Sequence, residues 1–179
     1  YGFAVATYQS VACLIHCGPS YCIETHSRSR RAIRRNQTEC LLEWTYSLRD
    51  MVQMPEKDLF EFTDAIGGTT KCYARTVAHE GAMTVDYHCA WDQPDHLWMI
   101  YLMRVVPAEL VFDKPGCVIT WINCRHPFYD DNPFPDRAPD GRKVWVGDGW
   151  PFFYAGHTVE LENLKRILEY RHAHNAWEV

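Results

Sequence analysis

The stretch MTVDYHCAW, residues 83–91, places Asp86 and His88 two positions apart. Its β-branched and aromatic residues predict a β-strand, in which side chains two residues apart lie on the same face. A carboxylate beside an imidazole is a common arrangement for proton transfer in catalysis. We therefore predict that His88 acts as a general acid or base together with Asp86, and that Tyr73 or Tyr101 donates a hydrogen bond to the substrate.

Neighbouring strands would bring further groups to this face. A two-residue turn at Glu80-Gly81 pairs Arg75 with Asp86, and a second one at Gln93-Pro94 pairs Asp86 with Tyr101. Such a face, apolar with a few converging polar groups, is typical of a ligand pocket. The ligand-binding residues predicted here, two of them from a later loop, are Tyr73, Arg75, Met99, Met103, Phe128 and Phe134. The alternative is a solvated face on which Arg75 and Asp86 form an ordinary cross-strand pair.

The same pairing assigns the opposite face of the strands to the core. Its residues are nearly all apolar: Cys72, Ala74, Val85, Tyr87, Cys89, Trp91, Trp98, Ile100 and Leu102. In this register Cys72 is opposite Cys89, which predicts either a cross-strand disulfide or two buried thiols, depending on the redox state of the compartment.

The elements that must position these residues occur as helices first, strands next and a helix last. Apolar spacing predicts helices over 3–17, 29–53 and 56–66, and a closing helix that begins near Thr158 with Leu161, Leu164, Leu168 and Arg171 on its inner face. Strands are predicted in TKCYARTV, MTVDYHCAW, LWMIYLMRVV, CVITWINC and KVWV. This order predicts one α+β domain over residues 1–179, with N-terminal helices, a curved antiparallel meander of four to five strands and a C-terminal helix packed on the sheet, in a cone-like or helix-grip-like form.

The proline-rich segment HPFYDDNPFPDR, residues 126–137, partly resembles the HxFx(D/E)GNGRxxR loop of Fic-type AMP-transfer proteins. Pro133 and Phe134 stand where that loop needs a backbone N–H donor and an arginine for phosphate. We therefore do not assign the chain to that family. The length of the connection instead predicts a rim or lid over the pocket, with Phe128, Tyr129 and Phe134 folding down onto it.

Composition excludes several classes of function. The 179 residues carry a net charge of -5, and no apolar run approaches the length needed to cross a bilayer. We predict no membrane association, no cofactor and no metal site, and nucleic acid is an unfavoured partner. Arg28, Arg31 and Arg35, on one face of a predicted helix, leave nucleotide or nucleic-acid binding as a minor alternative.

The sequence thus predicts a domain that binds a small molecule between a curved sheet and its helices, with acid–base catalysis as a further step. The alternative is a non-catalytic, secreted, disulfide-bonded interaction domain, which the eight cysteines permit. The sequence does not determine the cellular compartment of the protein, and we favour an extracytoplasmic one.

Overall fold

The computed structural model describes residues 8–15, 37–64, 71–91, 93–97, 99–124 and 150–174. Three helices and seven strands lie in these ranges, together with 3-10 turns at Gln37–Cys40 and Glu80–Ala82. The helices are α1 (Leu41–Trp44), α2 (Glu109–Phe112) and α3 (Trp150–His174). The strands are β1 (Tyr8–Ile15), β2 (Leu48–Gln53), β3 (Phe60–Asp64), β4 (Lys71–His79), β5 (Thr84–Trp91), β6 (Met99–Pro107) and β7 (Cys117–Cys124).

The seven strands form one sheet in the order β1-β7-β6-β5-β4-β3-β2, and every neighbouring pair is antiparallel. The long helix α3 packs on one face of this sheet through Leu161, Leu164 and Leu168, which are at most 2% exposed. The predicted α+β class, with an antiparallel sheet and a C-terminal helix packed on it, is confirmed.

Three segments predicted as helical contain strands instead. β1 lies within the predicted helix 3–17, β2 at the end of the predicted helix 29–53, and β3 within the predicted helix 56–66. In β3, burial alternates from Phe60 to Asp64, as a strand requires. The spacing of Leu59, Phe62 and Ile66 also fits a helix, so only pairing with β4 settles the choice.

The pairing of β4 with β5 differs from the predicted one by two residues. His79 pairs with Thr84, so the loop between them has four residues rather than two, closed by Met83 in left-handed backbone with φ 54°. Arg75 therefore pairs with His88 instead of Asp86, and Cys72 pairs with Trp91 instead of Cys89. A two-residue slip leaves every side chain on its predicted face.

The pairing of β5 with β6 differs by one residue, which has a larger effect. Tyr101 pairs with Tyr87 rather than with Asp86. Because side chains alternate along a strand, this moves Met99, Tyr101 and Met103 to the helix-facing side and Ile100 and Leu102 to the outer side. The cause is the connection from Trp91 to Met99, which is longer than the predicted turn at Gln93-Pro94.

The Gln93 side chain organises that connection. It is 1% exposed, its Nε2 donates to the backbone oxygen of His96 at 2.9 Å, and its Oε1 accepts from the His96 N–H at 2.9 Å.

The closing helix begins at Trp150, so the predicted N-cap at Thr158 is wrong and Thr158 lies inside the helix. The predicted inner positions Leu161, Leu164 and Leu168 are buried, and Arg171 is half-buried. The predicted strand KVWV and the segment HPFYDDNPFPDR, with Phe128 and Phe134, lie outside the described residues, as does the arginine cluster 28–35.

Candidate functional site

The structure divides the predicted site between the two faces of the sheet. Tyr73, Arg75, Asp86 and His88 lie on the outer face, opposite the one on which α3 packs. Met99, Tyr101 and Met103 lie on the helix-facing side and are buried. The expectation that one face holds all of these residues is therefore wrong, because of the one-residue slip between β5 and β6.

On the outer face, most of the charged groups pair within the chain. Asp86 Oδ2 lies 3.3 Å from His79 Nε2, and the Arg75 guanidinium contacts the Glu56 carboxylate. His88 and Arg75 border an open cleft of about 340 Å³ beside Asp95 and Leu97. The Arg75–Asp86 pair of the solvated-face alternative is not formed, because each of these residues pairs with another partner. A catalytic role for Asp86 and His88 stays a prediction.

Beneath α3, the helix-facing side encloses a smaller cavity of about 70 Å³. Its walls come from α3, from the segment 41–48 that runs from α1 into β2, and from the central strands. The residues that line it are Leu41, Thr45, Ser47, Leu48, Cys72, Tyr87, Cys89, Trp91, Met99, Tyr101, Trp121, His157 and Glu160. The cavity is therefore mainly apolar and aromatic, with a carboxyl and an imidazole from one helix.

Aromatic rings form one wall of this cavity. Trp121 is stacked with both Tyr87 and His157, with ring centroids 5.9 and 5.4 Å apart. Tyr101 and Trp44 meet Trp121 edge-on at 5.9 and 5.1 Å. Interlocked rings of this kind hold one another in fixed orientations, so this aromatic wall is preformed.

Polar contacts along one flank of α3 fix the helix to the segment 43–47. Glu160 Oε1 accepts a hydrogen bond from the Tyr46 N–H at 3.3 Å, and Asn163 Nδ2 donates to the Trp44 oxygen at 3.5 Å. Further along, Arg171 forms an ion pair with Glu43 at 3.0 Å. These contacts position the Glu160 carboxyl at the cavity wall.

Burial changes the protonation of both α3 groups in the cavity. It raises the pKa of Glu160 from 4.5 to about 8, against hydrogen bonds from the Tyr46 backbone and the Ser47 side chain that favour the ionised form. It lowers the pKa of His157 from 6.5 to about 4. At neutral pH, Glu160 is therefore mostly a neutral acid and His157 a neutral imidazole, one helical turn apart.

The cysteines of this region are thiols. Cys72 and Cys89 are free thiols, so the disulfide predicted as one alternative for this pair is not formed. A hydrogen bond with Cys89, together with burial, raises the pKa of the Cys72 thiol well above its usual range. Both side chains line the cavity as small, uncharged groups.

The sequence analysis did not identify His157 and Glu160 as functional. Because the helix was expected to begin near Thr158, His157 fell outside it and Glu160 counted only as an acid of its first turn. With the helix begun at Trp150, both residues lie on the stripe of Leu161, Leu164 and Leu168. A carboxyl on an apolar stripe is the signal that would have identified the site.

A long C-terminal helix packed on an antiparallel sheet, with a cavity between the two, defines a helix-grip α+β fold. The Zhui aromatase/cyclase from Streptomyces sp. R1128 shares this fold, with a TM-score of 0.56 and 10% identity over 93% of this chain and 95% of that one. The KanY protein aligns with a TM-score of 0.53 and 13% identity over 93% and 99%. The di-domain ARO/CYC StfQ, from the steffimycin biosynthetic pathway, aligns with a TM-score of 0.54 and 11% identity over 94% of this chain and 52% of StfQ.

Identities this low establish the fold alone. No protein-family model matches the sequence, and no curated protein matches it. Among the described residues, no helix combines the length and apolar character needed to cross a membrane.

Proposed function

We propose that this chain binds a small molecule with a flat, apolar body in the cavity between α3 and the sheet, and that Glu160 anchors the polar end of this ligand. The observation that carries the proposal is the burial of the Glu160 carboxyl in an aromatic cavity wall, where it is 4% exposed. A buried carboxyl is costly for folding, so its presence on an otherwise apolar stripe indicates a role beyond packing. Two proteins with this fold are named aromatase/cyclases, which supports a small-molecule ligand.

The size of the cavity limits the ligand. The cavity volume of 70 Å³ leaves room for the centres of roughly five water molecules, and five molecules of liquid water together take up about 150 Å³. We therefore expect the buried part of the ligand to be about the size of one benzene ring, with a short polar substituent.

A cavity-filling pair of variants tests where the ligand binds. Cys89 and His88 are neighbours on β5 whose side chains face the cavity and the outer cleft respectively. We expect Cys89→Phe to abolish the binding of single-ring fragments, measured by saturation-transfer NMR, because the added ring fills the cavity. His88→Phe serves as the matched control and should leave this binding intact.

Cooperative thermal unfolding of both variants must accompany the binding data, because overpacking at position 89 costs about 1–3 kcal/mol. Cys89→Leu, a smaller addition, replaces Cys89→Phe if the latter does not fold. Loss of binding in His88→Phe but not in the position-89 variant would instead place the ligand at the outer cleft, near the predicted pair Asp86 and His88.

A second candidate function is acid–base catalysis by Glu160 and His157, which lie one helical turn apart. It is favoured because the pKa of Glu160 is raised and the pKa of His157 is lowered. A protonated carboxyl can donate a proton to a carbonyl oxygen while a neutral imidazole accepts one from the adjacent carbon. We expect the protein to accelerate deuterium exchange at the α-carbons of 2-indanone in D₂O, followed by ¹H NMR. Glu160→Gln should remove this acceleration while retaining binding, and equal exchange rates with and without protein would exclude this chemistry for the ketone.

The disulfide-bonded interaction domain receives no support from Cys72 and Cys89, which are free thiols. Binding of nucleic acid through residues 28–35 remains the minor alternative, since these residues lie outside the described part of the chain.

A further inference from the structure

Two carboxyl groups lie close to one end of the α3 cavity. Glu160 lines the cavity itself, and Asp64 at the end of β3 is 8% exposed. Burial is the largest cause of the raised pKa of Tyr46, and the charges of Glu160 and then of Asp64 raise it further. The charge of Asp64 also contributes to the raised pKa of the cavity thiol Cys72, after the hydrogen bond with Cys89 and burial. Once Glu160 is ionised, this end of the cavity is therefore at negative potential.

The rest of the described lining does not offset that potential. It contains no lysine and no arginine, and its one imidazole, His157, stays neutral down to a pH of about 4. Three aromatic residues, Tyr87, Tyr101 and Trp121, also line the cavity, and aromatic rings are better partners for a cation than for an anion.

We propose that the cavity selects small protonated amines, an aromatic ring with a short ammonium-bearing chain, by pairing the ammonium group with the Glu160 carboxylate, and that it excludes carboxylates of the same shape. This inference rests on the proposed binding function and specifies its ligand class. Binding of an amine requires an ionised Glu160, whereas the acid–base candidate requires Glu160 as a neutral acid. The amine and ketone classes of ligand are therefore distinguishable.

Pairing with an ammonium group must displace the proton that Glu160 holds at neutral pH. Each bound amine therefore releases close to one proton below about pH 7 and about half a proton at pH 8, and below pH 7 its affinity rises by about tenfold per pH unit. A neutral ligand releases none. The groups that face Glu160 are His157 on α3, Tyr46 and Ser47 before β2, Asp64 on β3, and Cys72, Tyr87, Cys89 and Tyr101 on the central strands.

The experiment compares three probes of nearly equal size: 2-phenylethylamine, 2-phenylethanol and phenylacetate. Isothermal titration calorimetry between pH 6 and 8, in buffers of different ionisation enthalpy, gives both the affinity and the number of protons released. At pH 8 we expect the amine to bind about tenfold more tightly than the alcohol, since a hydrogen bond to a charged group is the stronger one. We expect no binding of phenylacetate.

Glu160→Gln keeps the shape of the side chain and removes its charge. In this variant we expect the amine to lose its advantage over the alcohol and its proton release, while the alcohol binds as before. Equal binding of amine and alcohol to the wild type at pH 8, binding of phenylacetate, or an amine preference at pH 8 that survives in Glu160→Gln would overturn the inference.

These results separate the inference from the proposed function. If fragments bind in a manner blocked by Cys89→Phe and the amine is not preferred, the cavity binds ligands but the charge selectivity is wrong. If no probe and no fragment binds, both proposals fail.

Discussion

At the scale of single residues, Gly156 allows Tyr46 to lie directly against the backbone of α3. A Cβ at position 156 would lie 1.9 Å from Tyr46 Oη and 2.6 Å from its Cζ, far inside contact distance. The segment that supplies the Tyr46 N–H to Glu160 can approach the helix only because this side chain is absent.

We expect Gly156→Ala to displace the Tyr46 ring and lower the free energy of unfolding by about 1–3 kcal/mol, measured by urea denaturation. Alanine is the better helix former by about 1 kcal/mol, so the steric conflict exceeds the measured net cost by about that amount. In a Tyr46→Ala background the same substitution should become stabilising. A wild type made more stable by Gly156→Ala would show that the close approach does not exist.

The residues of the candidate cavity show how far sequence reasoning extends at this scale. Alternation along β5 correctly identifies Tyr87 and Cys89 as buried, because both periodicity and composition point the same way. It does not reveal His157 and Glu160, whose place in the cavity lining depends on which strands α3 covers. That information lies in tertiary packing rather than in local pattern.

At the scale of elements, the strand pairings show why a predicted site can be divided although its strands are placed correctly. Four strands were predicted where β4, β5, β6 and β7 occur. The β4–β5 loop is two residues longer than predicted, which preserves the faces, whereas the β5–β6 pairing is shifted by one, which exchanges them. Loop length cannot be read from turn residues when a buried side chain, here Gln93, organises the loop.

The strands β1, β2 and β3 were missed for a different reason. In β2, Asp50 has left-handed backbone with φ 52° and the pairing with β3 is irregular between Arg49 and Val52, so the alternation of a strand is interrupted there. β1 pairs along its full length with β7, a partner more than a hundred residues away in sequence. Neither effect leaves a local signal in a single sequence.

At the scale of the whole molecule, the two α3 groups give the stability an unusual dependence on pH. The pKa of His157 is lowered from 6.5 to about 4, so its contribution is present above pH 6.5 and is lost as the pH falls towards 4. The pKa of Glu160 is raised from 4.5 to about 8, so its contribution is present below pH 4.5 and is lost as the pH rises through 8. The other groups with shifted pKa values titrate outside the range from pH 4.5 to 8. The pKa is raised for Tyr46, Cys72 and Tyr87 and lowered for Glu61.

We therefore expect the free energy of unfolding to change little between pH 4.5 and 6.5, where the two contributions oppose each other. Between pH 6.5 and 8 it should fall, with a slope of at most about 1.4 kcal/mol per pH unit, because among the described residues only Glu160 has a pKa shift that spans this range. Urea denaturation at half-unit pH intervals measures this profile. In Glu160→Gln the decline above pH 6.5 should disappear, and in His157→Asn it should begin near pH 4.5 instead. A decline above pH 6.5 that persists unchanged in Glu160→Gln would have to come from another group. The pKa of Glu160 would then not be raised, and its carboxyl would be ionised in the folded protein and give the cavity a negative charge at neutral pH.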